Sequence, residues 1–283
     1  TRSDRDWSSD VCSSDLSYNT GESHRREWRG SLMSKYAEQY FRKVTSMFEQ
    51  TLSESSEAIG RAAALMGAAI VADELIHVIG TGGHSNLGAE EMFWRAGGLV
   101  PVDALLDPGT SLMHGALRSN KVERTGGYAK AVLDSYNIVD GVLVIVNAYG
   151  INTMTIEVAL EAKQRSVPTI GVTSRAFGEN VPPGHKARHP SGENLCDIVD
   201  VFVDSHMPYG DALVDFEGLG QRVAPSSTLA NCFTVNLLVV ETVKYLLDRG
   251  FEPPLWQSAN VPGGEEANEK YQRKYGGRIK HLA

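Results

Sequence analysis

The hydrophobic positions follow two different periods along the chain, and these periods predict its secondary structure. From Ser34 to Ala72 apolar residues recur at helical spacing, which predicts two helices, the second capped at Ser53 or Ser55. Short apolar runs then alternate with further helical segments, as expected for strands buried on both faces. The predicted strands are residues 74–80, 99–106, 141–147, 168–174 and 198–205, and helices are predicted from residue 86, over 121–136, over 152–165 and over 226–249.

This alternation predicts the fold class and the division of the chain. Strands separated by helices form a parallel sheet with right-handed crossovers, so we expect an α/β protein with a doubly wound, five-stranded parallel sheet. The predicted divisions are an N-terminal helical hairpin over residues 33–73, a binding domain over 74–250 and a polar C-terminal tail over 251–283, with Trp256 as its anchor. Residues 175–194, rich in Pro, Gly and His, are expected to form an exposed loop.

The first 32 residues are interpreted separately. Asp6 to Leu16 (DWSSDVCSSDL) resembles the translation of an adapter used in short-read DNA sequencing. Its polar side chains cannot form a core, so residues 1–32 are expected to be a non-native or disordered leader, with native translation starting near Met33. Peptides from Asp6–Leu16 in the natural protein would contradict this hypothesis.

Composition and charge narrow the classes of partner. The chain has a net charge of −8, without a concentrated basic patch, which argues against nucleic-acid binding. No apolar run approaches the roughly 20 residues of a membrane span, so we expect a cytoplasmic protein without a membrane partner. The three cysteines, Cys12, Cys196 and Cys232, have no metal-ligand or disulfide spacing.

The stretch from Glu74 to Arg95 joins a predicted strand, a glycine cluster and a helix start. This arrangement is typical of a phosphate cradle, in which glycines let backbone N–H groups approach an anion and hydroxyls add hydrogen bonds. A glycine-rich turn that serves packing alone is the alternative. The candidate binding residues here are Gly80, Thr81, Gly82, Gly83 and Ser85.

Three further polar segments are expected at the same edge of the sheet. In open parallel sheets, ligands bind beyond the carboxyl ends of the strands, near the switch in strand order. Hydroxyls, amides and helix N-termini that converge there favour a phosphorylated or heavily hydroxylated ligand. Taken singly, Thr153 and Ser226 could instead be ordinary helix caps. The candidate binding residues in these segments are Asn147, Tyr149, Asn152, Thr153, Ser174, Ser226, Ser227 and Thr228.

Several motifs resemble a known family. The segments GTGGHSNLGAEE, GVLVIVNAYGINTMTIEVALEAKQ, PTIGVTS and PSST resemble the SIS (sugar isomerase) domain, and RHPSGENL, PYGDALVDFEGL, SANVPGGEEAN and GGRIKHL resemble one uncharacterised phosphosugar-binding group of SIS proteins. The resemblance implies the five-stranded sheet, a homodimer or homotetramer, and a sugar phosphate bound at the polar loops. No cofactor is predicted. Related enzymes, phosphoheptose isomerase and N-acetylmuramic acid 6-phosphate etherase, abstract a proton next to a carbonyl.

The sequence departs from the family pattern in two places. SIS domains usually carry Ser-x-Ser-Gly after the third strand, whereas this chain has Asn147-Ala148-Tyr149-Gly150. Phosphate binding is expected to be weaker there, and the ligand bulkier or not phosphorylated at that end. Metal-dependent relatives carry histidines at positions occupied here by Leu87 and by the histidine-free stretch Thr228–Leu247, so no metal site is predicted.

Three residues are candidates for catalysis. Glu91 matches the second glutamate of the Ala-Glu-Glu run in phosphoheptose isomerases, but it could equally form a surface ion pair with Arg95. Glu123 lies where the etherase pattern has its second acidic group, although a solvated helix position is the alternative. His84 lies inside the glycine-rich turn and is a candidate because histidine is a common acid and base in catalysis, although loop histidines are usually solvated or structural.

Two functions of different classes remain open from the sequence. The first is an enzyme that removes a proton beside a sugar carbonyl, giving aldose–ketose isomerisation or an elimination. The second is a non-catalytic phosphosugar sensor, which the altered loop after the third strand favours. A DNA-binding regulator is not expected, because neither an added helix-turn-helix domain nor a basic face is found.

Overall fold

A five-stranded parallel sheet forms the centre of the structure, which is a computed structural model and describes residues 33–282. The predicted leader, residues 1–32, lies outside the described residues. The strands are β1 (Ile76–Gly80), β2 (Val102–Ala104), β3 (Val142–Val146), β4 (Thr169–Thr173) and β5 (Val201–Asp204). They are arranged in the order β2-β1-β3-β4-β5, with every neighbouring pair parallel. The predicted α/β fold class is therefore confirmed.

The remaining elements flank this sheet. Two short strands, β6 (Ala212–Val214) and β7 (Val223–Pro225), form an antiparallel hairpin that the sequence analysis missed. The helices are α1 (Lys35–Glu54), α2 (Ser56–Val71), α3 (Asn86–Met92), α4 (Ala116–Val122), α5 (Tyr128–Ser135), α6 (Thr153–Gln164), α7 (Arg175–Asn180), α8 (Leu195–Ile198), α9 (Ser227–Leu247) and α10 (Gly264–Tyr275).

The sheet is covered on both faces, as its continuous apolar strands predict. Side chains of β3 illustrate this, since Val144 packs with Met66 of α2 and Leu238 of α9. Its neighbour Ile145 packs with Met154 of α6 on the opposite face. All of these side chains are less than 1% exposed, so β3 is the buried centre of a three-layer structure.

The two predicted N-terminal helices are present, but they do not fold back on each other as a hairpin would. Phe48 of α1 stacks on Phe233 near the start of α9, at 4.3 Å between ring centroids. Further along the chain, Met66 of α2 lies 3.8 Å from the Thr242 hydroxyl near the end of α9. Both helices therefore follow α9 in the same direction. The single residue between them, Ser55, is too short a link to reverse the chain.

The single helix predicted over residues 121–136 is wrong, because the chain breaks it into α4 and α5. Gly126 and Gly127 lie between the two helices, and Gly127 has a φ of 78°, which glycine adopts without strain. The break leaves Glu123 at the C-terminal cap of α4 instead of inside a helix. This local change decides where the Glu123 carboxylate lies.

The predicted polar tail is ordered and covers the edge of the sheet beside β2. Trp256, 4% exposed, packs with Val100 and Tyr275. The Trp256 N–H donates to the Gly98 carbonyl at 3.0 Å, and the Gly97 N–H donates to the Trp256 carbonyl at 2.8 Å. The predicted anchor is therefore present, and helix α10 follows it.

Helix α9, with 21 residues, is long and apolar. Within residues 33–282 it is the one helix long and apolar enough to cross a membrane, judged by length and composition. Leu238 and Leu246 on its inner side are fully buried in the core. Core helices of folded proteins meet the same criterion, so the absence of a membrane partner stays a prediction.

Candidate functional site

A cavity of about 350 Å³ opens at the carboxyl ends of β1 and β3. In a sheet of order β2-β1-β3-β4-β5, the chain leaves β1 and β3 in opposite directions, and ligands bind in the crevice formed there. The cavity combines the turn after β1, the end of α4, the loop after β3 and the start of α9. The predicted site residues that line it are Gly82, Gly83, His84, Ser85, Glu123, Asn147, Tyr149, Asn152, Ser227 and Thr228.

The other predicted site residues do not line the cavity. The Thr81 hydroxyl forms a hydrogen bond with the Thr155 hydroxyl, with 2.6 Å between the two oxygens. Ser174 donates to the Met207 carbonyl and accepts from the Phe177 N–H, so it caps α7. Those without a place on the cavity wall are Gly80, Thr81, Glu91, Thr153, Ser174 and Ser226.

Glu91 lies on α3 beside α9, half-buried, and does not line the cavity. Its carboxylate accepts a hydrogen bond from the Asn236 side chain at 3.1 Å and pairs with Arg95 at 3.5 Å. These are the contacts of the surface ion pair that was the alternative interpretation of Glu91. Its role as a base stays a prediction that this geometry does not favour.

The Glu123 carboxylate lies beside the glycine-rich turn. A Cβ placed on Gly82 would lie 2.8 Å from Glu123 Oε2 and 3.4 Å from Asn147 Nδ2, so the glycine makes room for both side chains. The Glu123 side chain is 14% exposed, and its Oε1 accepts from Asn120 at 3.3 Å. Burial raises the pKa of Glu123, and the charge of Arg124 opposes this only in part. A carboxyl group with a raised pKa suits proton transfer near neutral pH.

This raised pKa predicts a pH-dependent stability difference. The folded protein holds the Glu123 proton more tightly than the unfolded chain does, so the stabilising effect is complete below the ordinary pKa of 4.5 and is lost as pH rises through the folded-state pKa. We therefore expect Glu123→Gln, which stays neutral, to gain stability relative to the wild type as pH rises from about 4 to 8. Urea unfolding of both proteins across that range measures it, and a constant difference would contradict it.

In the loop after β3, two backbone N–H groups donate hydrogen bonds to a side chain of the same loop. The Asn147 Oδ1 accepts hydrogen bonds from the Tyr149 and Gly150 N–H groups, both at 2.9 Å. In this loop a bound phosphate would need such N–H donors. The Asn147 side-chain oxygen therefore lies where an oxygen of a bound anion would accept these hydrogen bonds.

At the start of α9, the Asp211 carboxylate likewise accepts hydrogen bonds from backbone N–H groups. Asp211 was not among the predicted site residues. Its Oδ1 accepts from the Ser226 and Ser227 N–H groups at 2.8 and 2.7 Å, and its Oδ2 accepts from the Ser227 hydroxyl at 2.9 Å. A carboxylate is stabilised at this positive end of a helix. No local signal in the sequence marks the contact, because Asp211 lies 15 residues before Ser226, across the β6–β7 hairpin.

The turn after β1 remains open to a ligand. The N–H groups of Gly82, Gly83, His84 and Ser85 have no acceptor among residues 33–282. His84 is exposed at the rim, and Ser85 is 7% exposed. This turn therefore offers free donors, in contrast to the loop after β3 and the start of α9.

Tyr149 and Asn152 complete the wall of the cavity. Tyr149 stacks on Phe177 at 4.2 Å, and burial, followed by the charges of Asp211 and Glu123, raises the pKa of its hydroxyl. Asn152 is 2% exposed and donates from Nδ2 to the Ala187 carbonyl at 3.0 Å. Its Oδ1 is buried without a donor in the described structure. The cavity wall thus includes a neutral phenol, whereas Asn152 Oδ1 is closed off from solvent.

The charge of the cavity is negative. Among residues 33–282, the carboxylates that line it are Glu123 and Asp211, and neither a lysine nor an arginine does so. Within the described chain no group of three or more His, Cys, Asp or Glu side chains is placed to hold a metal ion. Proton transfer by side chains and hydrogen bonding to hydroxylated ligands are the chemistry that these residues offer.

The chain is similar in sequence to one family model and to several proteins of other organisms. The SIS domain family model matches residues 39–174. A UPF0309 protein from Geobacillus thermodenitrificans is 33% identical over 243 residues, which cover 86% of this chain and 96% of that protein. A UPF0309 protein from Streptomyces avermitilis is 35% identical over 250 residues, covering 87% of this chain and 97% of the relative.

Two solved structures have a similar fold at low sequence identity. A phosphoheptose isomerase from Francisella tularensis is 16% identical with a TM-score of 0.48, covering 74% of this chain and 96% of that chain. The sugar isomerase domain of an RpiR transcription factor from Sphaerobacter thermophilus is 17% identical with a TM-score of 0.45, covering 86% of this chain and 99% of that chain.

Proposed function

The chain belongs to the family of UPF0309 proteins and contains a SIS domain, and from this membership we propose that it is a sugar-phosphate enzyme that moves a proton on the carbon beside the sugar carbonyl. The reaction is an aldose–ketose isomerisation, or an elimination where the next carbon carries a leaving group. The observation that carries the proposal is the position of Glu123, a largely buried carboxyl group with a raised pKa beside the glycine-rich turn.

The residues of the cavity support separate roles in this reaction. Glu123 takes the proton from carbon and returns it to the neighbouring position. The neutral Tyr149 hydroxyl is a donor for the carbonyl oxygen, where negative charge develops. The free N–H groups of the turn from Gly82 to Ser85 are donors for the phosphate. His84 at the rim is a further acid for opening the sugar ring.

Solvent deuterium exchange tests the proposal directly. The purified protein is incubated in D₂O with hexose, heptose and amino-sugar phosphates, and NMR follows deuterium at the carbon beside the carbonyl. We expect incorporation into at least one sugar, with isomer or elimination product formed in parallel. Binding of a sugar phosphate without exchange or product would overturn the enzyme assignment.

A second candidate, a non-catalytic sugar-phosphate sensor, is favoured by the loop after β3. Asn147 accepts hydrogen bonds from two N–H groups of that loop, so these groups are not available to a phosphate. The cavity can then bind a ligand without the full set of phosphate contacts. The same exchange experiment separates the two functions, since a sensor binds without turnover. The homodimer or homotetramer and the cytoplasmic location stay predictions from the sequence.

A further inference from the structure

Asn147 presents a side-chain amide group for which the proposed reaction has no role so far. Its Oδ1 accepts from the Tyr149 and Gly150 N–H groups, both at 2.9 Å, and an amide nitrogen could not accept these bonds. The two contacts therefore fix the orientation of the amide. Asn147 is 2% exposed and lines the cavity, yet its Nδ2 has no acceptor among residues 33–282 and is not closed off from solvent. The loop thus holds a hydrogen-bond donor that is oriented but unpaired.

Glu123 Oε2 is an unpaired acceptor on the opposite side of the same turn. Asn120 donates to Glu123 Oε1 at 3.3 Å, and Arg124 Nη2 lies 3.8 Å from that same oxygen. Within the described part of the chain, Oε2 accepts no hydrogen bond, and it is not closed off from solvent either. Oε2 is therefore the carboxylate oxygen that is free to take a proton.

These two unpaired atoms border one space beside Gly82. A Cβ placed on Gly82 would lie 2.8 Å from Glu123 Oε2 and 3.4 Å from Asn147 Nδ2. It would meet nothing else of the described structure within 4 Å, apart from its own chain neighbours. A sugar carbon that carries the labile proton fits against the acceptor, and the carbonyl oxygen of the next carbon fits against the donor.

We infer that Asn147 is a catalytic residue, whose Nδ2 donates a hydrogen bond to the sugar carbonyl oxygen while Glu123 Oε2 takes the proton from the adjacent carbon. The inference rests on the proposed function, because it adds a donor to that reaction. The C–H bond breaks, its electron pair forms the C=C bond of an enolate, and the carbonyl π electrons move onto oxygen. The proton passes to Oε2, and the amide keeps its own protons. A fixed amide thus stabilises the negative charge as it develops, together with the Tyr149 hydroxyl.

Asn147→Asp tests this donor. Aspartate keeps an oxygen for the Tyr149 and Gly150 N–H groups but replaces the amide donor by a second acceptor. The probes are the hexose, heptose and amino-sugar phosphates of the D₂O experiment. We expect the plateau rate of exchange to fall about 10²- to 10³-fold, the usual effect of removing one oxyanion donor. The sugar concentration at half-maximal exchange should change no more than about 10-fold, because the hydrogen bond is weaker before charge develops.

The rate is measured across pH, because aspartate also adds a charge. A charge effect alone would raise the pKa of Glu123 and move the pH profile of exchange to higher pH, with the same plateau. Asn147→Ser adds no charge and shortens the side chain, so it should lower the plateau without moving the profile. Asn180→Asp is the control and should keep the wild-type rate, since Asn180 is exposed and does not line the cavity.

The possible results separate this inference from the proposed function. A wild-type plateau in either Asn147 variant overturns the inference and leaves the enzyme assignment standing. A half-maximal concentration that rises as much as the rate falls also overturns it, because Asn147 then serves binding alone. Absence of exchange in the wild-type protein overturns both.

Discussion

Glu123→Gln is expected to lower the rate of deuterium exchange into the sugar substrate by about 10²- to 10⁴-fold, the range for loss of a general base. Glutamine has nearly the shape of glutamate but cannot accept the proton. The fold should survive the change, because it is the Glu123 backbone carbonyl that accepts from Met154 and links α4 to α6.

Glu91→Gln is the matched control for this experiment. Glu91 is the residue that the family resemblance favours as base, but it contacts Arg95 and Asn236 outside the cavity. We expect this variant to keep the wild-type exchange rate. Loss of exchange in Glu91→Gln with normal exchange in Glu123→Gln would contradict the assignment and restore the prediction from sequence.

Gly80→Ala is expected to destabilise the protein by about 3 kcal/mol, the upper part of the range for overpacking a well-packed site. A Cβ on Gly80 would lie 2.3 Å from the Ser85 carbonyl oxygen and 2.4 Å from the Asn86 N and Cα atoms. All of these are backbone atoms, so the turn after β1 has to move. In a chain of this size the loss corresponds to a lower melting temperature by roughly 6–12 °C.

Gly60→Ala is the control for that substitution. Gly60 lies inside α2, and a Cβ there would meet nothing of the described structure within 4 Å apart from its own helix backbone and its chain neighbours. Alanine favours a helix interior over glycine, so we expect a gain of about 0.5–1 kcal/mol. Thermal unfolding of the two variants measures both effects, and similar shifts would show that the turn tolerates a side chain at Gly80.

The sheet could be predicted from the sequence because strands buried on both faces leave a local signal. Val142–Val146 is a continuous apolar run, and its alternation with helical segments led to the parallel five-stranded sheet. The rule that ligands bind at the switch in strand order then led to Gly82 and Asn147, which do line one cavity.

The parts of the site that were missed depend on long-range contacts or on one local break. Asp211 reaches Ser226 only after the β6–β7 hairpin has formed, and no sequence spacing encodes that contact. The Gly126–Gly127 pair is visible in the sequence, but its consequence, Glu123 at the cavity wall, appears only with the packed fold. Gly80 was expected to approach an anion, whereas it allows the turn to pack on itself.

The C-terminal residues cover the β2 margin of the sheet, and this has a consequence for biosynthesis. Leu255 pairs antiparallel with Leu99, so the backbone at this position is not free to pair with another polypeptide. The ribosome makes Leu255 long after β2, and until then the backbone beside Leu99 stays uncovered. A chain that stops shortly before Leu255 would keep this backbone uncovered and available for pairing with another polypeptide.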